Sequence, residues 1–307
     1  MSYLINKEDD IIYVYGGKIH MYELLSLLTG VILALMIKVN GLLSNSIGVY
    51  TSTLVVHIVG SIFAYLVLLA QHKKIKIDRS LPFYLYLGGV IGVSTTLFST
   101  IAVSKISMVS IIALEQLAKL ITSFFIDKFY LDKSNAHHFS FIGIIISIVG
   151  ILLMLGSLEI DQLIYISLPI LAGVAVIISR TLNGSLSNSV GNLECSFINH
   201  FTGMIVCVFL FIFSQEHAET FLVNPIYYLG GIMGVATVLL NNITVNKLSA
   251  SSITLISLCG QMFTGILLDI LFNGSLNKQE FLAAILITLG IIIDKLSKSK
   301  TLKTKSI

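Results

Sequence analysis

Six stretches of the chain, residues 39–71, 80–104, 134–158, 195–215, 220–246 and 248–268, contain no Asp, Glu, Lys or Arg. A helix needs roughly 20 apolar residues to cross the ~30 Å hydrocarbon core of a bilayer, and each of these windows is that long. With the apolar segments near 22–39, 107–127, 162–181 and 276–294, they predict ten transmembrane helices joined by short loops. A closed β-barrel also satisfies its backbone hydrogen bonds in lipid, but it demands period-two alternation, and runs such as FIGIIISIVGILLML do not alternate. Composition agrees: 11% of residues are charged, against about 25% in a soluble domain, and the mean hydropathy is +0.93. Apolar segments recur to the C-terminus and no small-residue cleavage site follows the first, so that segment reads as a span and not as a secretory leader.

Lysine and arginine concentrate in cytoplasmic loops, and with the N-terminus inside they divide unevenly. Inside fall Lys7, Lys18, Lys73, Lys74, Lys76, Arg79, Lys128, Lys133, Arg180, Lys247 and the tail Lys295, Lys298, Lys300, Lys303 and Lys305. Outside fall Lys38, Lys105 and Lys278, and Lys119 lies within a span. The expectation is a multi-pass protein of the cell (plasma) membrane with both termini cytoplasmic. Residues 1–20 and 297–307 read as solvated tails, the second basic; it reads as a topology anchor, with binding to anionic lipid as the alternative, and no activity is assigned to either tail.

Several function classes are excluded. The net charge is +3 and no continuous basic stripe exists, so nucleic acid is not a partner. Cys195, Cys207 and Cys259 sit in apolar runs without CxxC spacing and imply neither disulfides nor zinc. There is no GxSxG, HExxH or P-loop and no carboxylate cluster for a metal, so no catalysis and no cofactor is implied. His137-His138, at the cytoplasmic start of the fifth span, reads as an interfacial, solvated pair.

The chain repeats itself. NGLLSNSIG at Asn40–Gly48 matches NGSLSNSVG at Asn183–Gly191, an offset of 143 that also pairs His57 with His200, Gly60 with Gly203 and Pro82 with Pro225. Beyond, the offset becomes 142 and pairs LGGVIGV at 87–93 with LGGIMGV at 229–235, Lys105 with Lys247, and Asp127 with Asp269. Each half holds five predicted helices, an odd number, so the second half enters the membrane from the opposite side. The fold class expected is therefore an all-α integral membrane protein whose ten transmembrane helices form two inverted five-helix repeats, residues 21–158 and 159–296. Such repeats are typical of secondary transporters, whose halves rock about a midplane site.

The half-repeat pattern combines an Asn-containing end of the first helix, a His-to-Gly second helix, a Pro-then-LGG third helix and a fourth helix ending QMFTGILLD. It resembles the YdcZ-like family of the drug/metabolite transporter superfamily over about residues 22–294. The resemblance implies a two-repeat small-solute transporter in which the first four helices of each half line the pathway and the fifth is peripheral. This chain would then be the fused form of five-helix units that otherwise pair. It departs from the family at Lys119, where the second half carries the family-like Gln261.

Ionisable groups inside a bilayer must be paired, neutral or turned to a wet cavity. Glu115 and Lys119 stand four residues apart on the predicted fourth helix, an ion-pair spacing, and their counterparts on the ninth are Ser257 and Gln261. The pair reads either as a packing element or as a site for a charged solute or proton, in which Glu115 exchanges partners. His57 and His200 each have a glycine three residues later, which allows close helix approach, and they read as packing residues or as a proton relay. Asn40 and Asn183, each followed by Gly, read as helix C-caps or as pathway residues. Asn199 and Asn241, with Asn242, are further buried polar candidates whose counterparts Val56, Ser99 and Thr100 differ, so the wall is asymmetric.

These features imply a secondary transporter that moves a small polar or charged solute by alternating access, with proton-coupled export as one form of drive. The alternative is a non-transporting membrane scaffold or partner subunit. A carrier would turn Glu115, Lys119, His57 and His200 toward one cavity, whereas a scaffold would present small or polar faces to a partner. The partners expected are a small-molecule substrate and membrane lipid, with the chain acting as a monomer or homodimer.

Overall fold

The computed structural model describes residues 21–129, 163–216, 218 and 221–273, and parts of 5–20, 145–153 and 278–293. Long helices dominate: α1 Met21–Ile47, α2 Val49–Ala70, α3 Gly88–Val103, α4 Met108–Phe129, α5 Leu163–Val190, α6 Asn192–Ser214, α7 Leu229–Val245 and α8 Ala250–Asn273. Short 3-10 turns at Phe83–Leu87 and Pro225–Tyr228 lead into α3 and α7. Among the described residues these segments supply eight helices long and apolar enough to cross a membrane. Helical residues also occur within 145–153 and 278–293, where the fifth and tenth spans are expected. His137, His138 and the C-terminal tail lie outside the described residues.

Three elements differ from the sequence expectation. Asn40 and Asn183 do not end their helices: α1 and α5 run on to Ile47 and Val190. In lipid a broken helix leaves backbone groups unsatisfied, so the Asn-Gly steps stay helical and their glycines serve packing instead. A Cβ on Gly41 or Gly184 would overlap Val103 or Val245. The helices stop where the backbone turns left-handed, at Gly48 (φ 91°) and Gly191 (φ 107°). The extension also relocates two charges. Arg180 is no cytoplasmic loop residue but is buried in α5, and Lys38 lies within α1 with its ammonium 4.5 Å from the centre of the Phe272 ring. Finally, the N-terminal tail carries a small antiparallel sheet, β1 Ile5–Asn6, β2 Ile11–Val14 and β3 Gly17–His20, in that order. Its ladder pairs Ile5 with Ile12 and Val14 with Gly17. The run IIYV, of β-branched and aromatic residues, suits such a strand.

The bundle is apolar outside, and within it buried polar residues are mixed with apolar clusters such as Ile111, Ile112, Leu114 and Leu258. Ile62, Leu66, Phe209, Phe213 and Leu271 are exposed, whereas Ser26, Thr29, Asn40, Ser61, Ser123, Asn242 and Thr244 are buried. Lipid solvates leucine as well as a protein core does, so helices associate through small residues and hydrogen bonds rather than hydrophobic burial. The packing has an approximate two-fold relation. α2 lies against α6 and α4 against α8; α1 meets α8 as α5 meets α4, and α3 meets α5 as α7 meets α1.

Equivalent helices meet antiparallel. His200 rests on Gly60 while His57 rests on Gly203, so advancing along α2 means retreating along α6. The Gln116–Gln261 and Ser123–Thr254 contacts show the same for α4 and α8. Lys247 stacks on Tyr22 and the equivalent Lys105 on Tyr165, at 5.6 and 5.8 Å from the ring centres, one cation–π contact in each half.

Candidate functional site

A cavity of about 100 Å³ lies where α1, α2 and α3 of the first half face α5, α6 and α7 of the second. Its lining is a set of equivalent positions: Leu33 and Val176, Met36 and Ser179, Val56 and Asn199, His57 and His200, Gly92 and Gly234, Thr95 and Thr237, Thr96 and Val238. The cavity therefore straddles the approximate two-fold axis. Arg180, Asn183, Asn241 and Asn242 also line it. Their counterparts Ile37, Asn40, Ser99 and Thr100 instead line a second, smaller pocket of about 30 Å³ together with Glu115 and Lys119. Leu33, Met36, Thr95, Thr96 and Val176 are walls common to both.

The two histidines occupy the junction of α2 and α6, both 3% exposed, with ring centroids 5.7 Å apart and planes tilted by 47°. The glycines that follow them act crosswise: each glycine leaves the space for the other half's imidazole. His200 Nδ1 donates to the Ser196 carbonyl at 3.0 Å, whereas both ring nitrogens of His57 are buried without a hydrogen-bond partner. The threonines differ in the same way. Thr95 Oγ1 donates to Gly92 O at 2.7 Å, but Thr237 Oγ1 has no partner. In both of these pairs one member is satisfied internally and the other is not, and a buried polar atom without a partner is costly.

Asn183 Nδ2 donates to Asn199 Oδ1 at 2.7 Å and to Ser179 Oγ at 3.3 Å, and Ser179 Oγ donates to the Gly88 carbonyl at 2.8 Å. This chain ties α5, α6 and the start of α3 into one wall. Asn40 lies against Gly230 as Asn183 lies against Gly88. Arg180 Nη2 donates to Ala250 O and Thr254 Oγ1, both at 2.9 Å, so the guanidinium bridges α5 and α8 at the cavity edge. In the smaller pocket Lys119 Nζ lies 2.6 Å from Glu115 Oε2, and Ser99 Oγ donates to Glu115 Oε1 at 2.6 Å.

The expected convergence of Glu115, Lys119, His57 and His200 on one cavity is thus replaced by two adjoining pockets. α4 supplies Glu115 and Lys119 to the smaller pocket and no residue to the larger. Asn183, Asn199 and Asn241 line the larger pocket and Asn40 the smaller. Ser257 and Gln261 line neither: Ser257 packs against Gly30, and Gln261 Oε1 accepts from Gln116 Nε2 at 2.6 Å between α4 and α8. Sequence reasoning missed Arg180, Thr95, Thr237 and Gln116. The 142-residue offset already paired the two threonines. An arginine three residues before the Asn183 that matches buried Asn40 was the available sign for Arg180.

Comparison with known proteins places the chain in a family. The model of the family described as "Putative inner membrane exporter, YdcZ", in the drug/metabolite transporter class, matches the chain twice, over residues 21–156 and 164–293. No curated protein matches it. A solved structure titled only "Crystal structure of protein" is 13% identical, covers 92% of this chain and 97% of its own, and superposes with a TM-score of 0.64, a likeness of fold alone. With nearly the whole helical region matched in two consecutive units, the chain is a multi-pass membrane protein that belongs to the YdcZ family of drug/metabolite transporters, in its two-repeat form.

Proposed function

We propose that this chain is a secondary carrier that moves a small polar or charged solute across the cell membrane by alternating access. The observation that carries the proposal is the cavity on the approximate two-fold axis, lined by equivalent residues of antiparallel halves and holding unpartnered polar atoms. A site shared in this way can be exposed to either side when one half tilts against the other. In this reading residues 21–158 and 159–296 are the two inverted repeats, and residues 1–20 and 297–307 are cytoplasmic tails.

His57 and Thr237 contact the solute, His200 and Asn199 shape the opposite wall, and Arg180 sets a positive edge. Glu115 and Lys119 stand one wall away. Protonation of Glu115 would release Lys119, so proton movement and solute movement become linked through the side pocket they share with Met36 and Thr95.

The test is uptake into proteoliposomes holding the purified chain, with cationic, anionic and neutral metabolites presented in turn and an internal dye reporting pH. Solute-dependent proton flux is expected, and it is lost in Glu115→Gln because an amide cannot carry the proton. His57→Ala is expected to lower solute flux by about tenfold or more, the weight of roughly one buried hydrogen bond to a polar solute. Absence of flux with every solute class would defeat the carrier reading. Unchanged pH dependence in Glu115→Gln would defeat the coupling.

A further inference from the structure

The two ends of the α2–α6 pair are built from equivalent positions and hold opposite charges. At an offset of 143, Gly48, Val49 and Thr51 at the start of α2 correspond to Gly191, Asn192 and Glu194 at the start of α6. At the other ends of these helices His72 corresponds to Gln215, and both adopt a left-handed backbone, with φ of 53° and 52°. The residues that follow are Lys73 and Glu216. Because α2 and α6 run antiparallel, each of these two residues is carried to the start of the opposite helix.

At the first end the contact is made. Glu216 Oε1 accepts from Val49 N at 2.8 Å, and Oε2 accepts from Thr51 N at 2.7 Å and Thr51 Oγ1 at 3.0 Å. The carboxylate satisfies two orphan amides of α2 and meets the positive end of its dipole. It also sits where a Cβ on Gly48 would be, which only glycine permits. At the second end the contact is open. Lys73, Lys76, Gly191, Asn192 and Glu194 line a cavity of about 480 Å³. Glu194 is 6% exposed, its Oε2 has no hydrogen-bond partner, and among the described residues no ion pair joins it to Lys73 or Lys76.

We propose that these are the two latches of the transport cycle: Glu216 on the start of α2 holds one face shut, and Lys73 pairing with Glu194 holds the other face shut in the opposite conformation. The inference rests on the alternating-access reading. The acid arrives on the loop at one end and is built into the helix at the other, so each end has the complement it needs, and in this structure only the first is engaged. The lysine-rich loop 73–79 places the open end on the cytoplasmic face, and the engaged Glu216 latch on the outer face.

The test is disulfide trapping in the full chain in membranes, with Cys259, the exposed native thiol, replaced by Ser. Gln71→Cys and Asn192→Cys both line the open cavity and leave Lys73 and Glu194 intact. Their counterparts Ser214 and Val49 both touch Glu216 at the closed end, so closure of the open end is expected to bring the two thiols together. Adding Glu216→Gln is expected to raise the ratio of cross-linked to free protein by roughly tenfold, the bias carried by about one charge-assisted hydrogen bond. Adding Lys73→Ala is expected to lower it. Thr51→Val, which removes one of the three contacts, should act in the same direction as Glu216→Gln if that variant folds poorly. A cross-link indifferent to both ends overturns the latches. Solute flux measured in parallel separates the two claims: coupling without flux keeps the latches and defeats the carrier, while flux without coupling does the reverse.

Discussion

Lys119→Met is expected to destabilise the folded chain by about 3–5 kcal/mol, the cost of leaving a buried charge without its partner. Glu115 and Lys119 are each 3% exposed, their charged atoms are 2.6 Å apart, and Ser99 supplies the second hydrogen bond to the carboxylate. Lipid around the bundle offers no water to replace the lost ammonium. Replacing both residues, Glu115→Gln with Lys119→Met, removes the charge altogether and is expected to recover most of the loss, because a buried ion pair against a neutral isostere is near break-even. Thermal unfolding of the four proteins in detergent reads the cycle. A double variant whose loss equals the sum of the two single losses would show that the residues do not act as a pair.

The second large effect lies at the glycines of the third helices. A Cβ on Gly89 would overlap the Asn199 carbonyl oxygen, and one on Gly231 would overlap that of Val56, which is the equivalent contact. Backbone cannot rotate aside, so α3 must move off α6, and α7 off α2. Overpacking of this kind costs about 1–3 kcal/mol, more than the ~1 kcal/mol that alanine gains over glycine in a helix. Gly89→Ala and Gly231→Ala are therefore both expected to lower the melting temperature, by similar amounts. Gly92 decides the matter by contrast, since its nearest atoms, on Asn199 and Ser179, lie at 3.8 Å. Gly92→Ala is expected to hold or raise the melting temperature while narrowing the cavity it lines and reducing flux. Equal destabilisation at positions 89 and 92 would contradict the packing described.

Much of this arrangement was legible in the residues. Charge-free windows located five of the eight described spans because lipid tolerates no unpaired charge, and the matched NGxLSNSxG, His and LGG segments exposed the duplication. Glu115 and Lys119 declared themselves by their i, i+4 spacing, and His57 and His200 by recurrence. The misreading of the helix ends has a physical cause. Asn-Gly is a helix-end signal in water, where freed carbonyls find solvent, but in α1 and α5 the helix persists because nothing else can satisfy those carbonyls. That error shortened α5, which in turn put Arg180 in a loop when it is buried with Thr254 and the Ala250 carbonyl.

The amino-acid sequence by itself determined the membrane location, the helical architecture and the two-fold duplication, because these follow from local hydrophobicity and from identity between segments. Tertiary structure alone decided which polar residues meet between helices. The pairs His57 with Gly203, Gln116 with Gln261 and Glu216 with Val49 join residues about 145 to 167 positions apart, and their contact depends on the antiparallel packing of the halves, a relation no local pattern encodes.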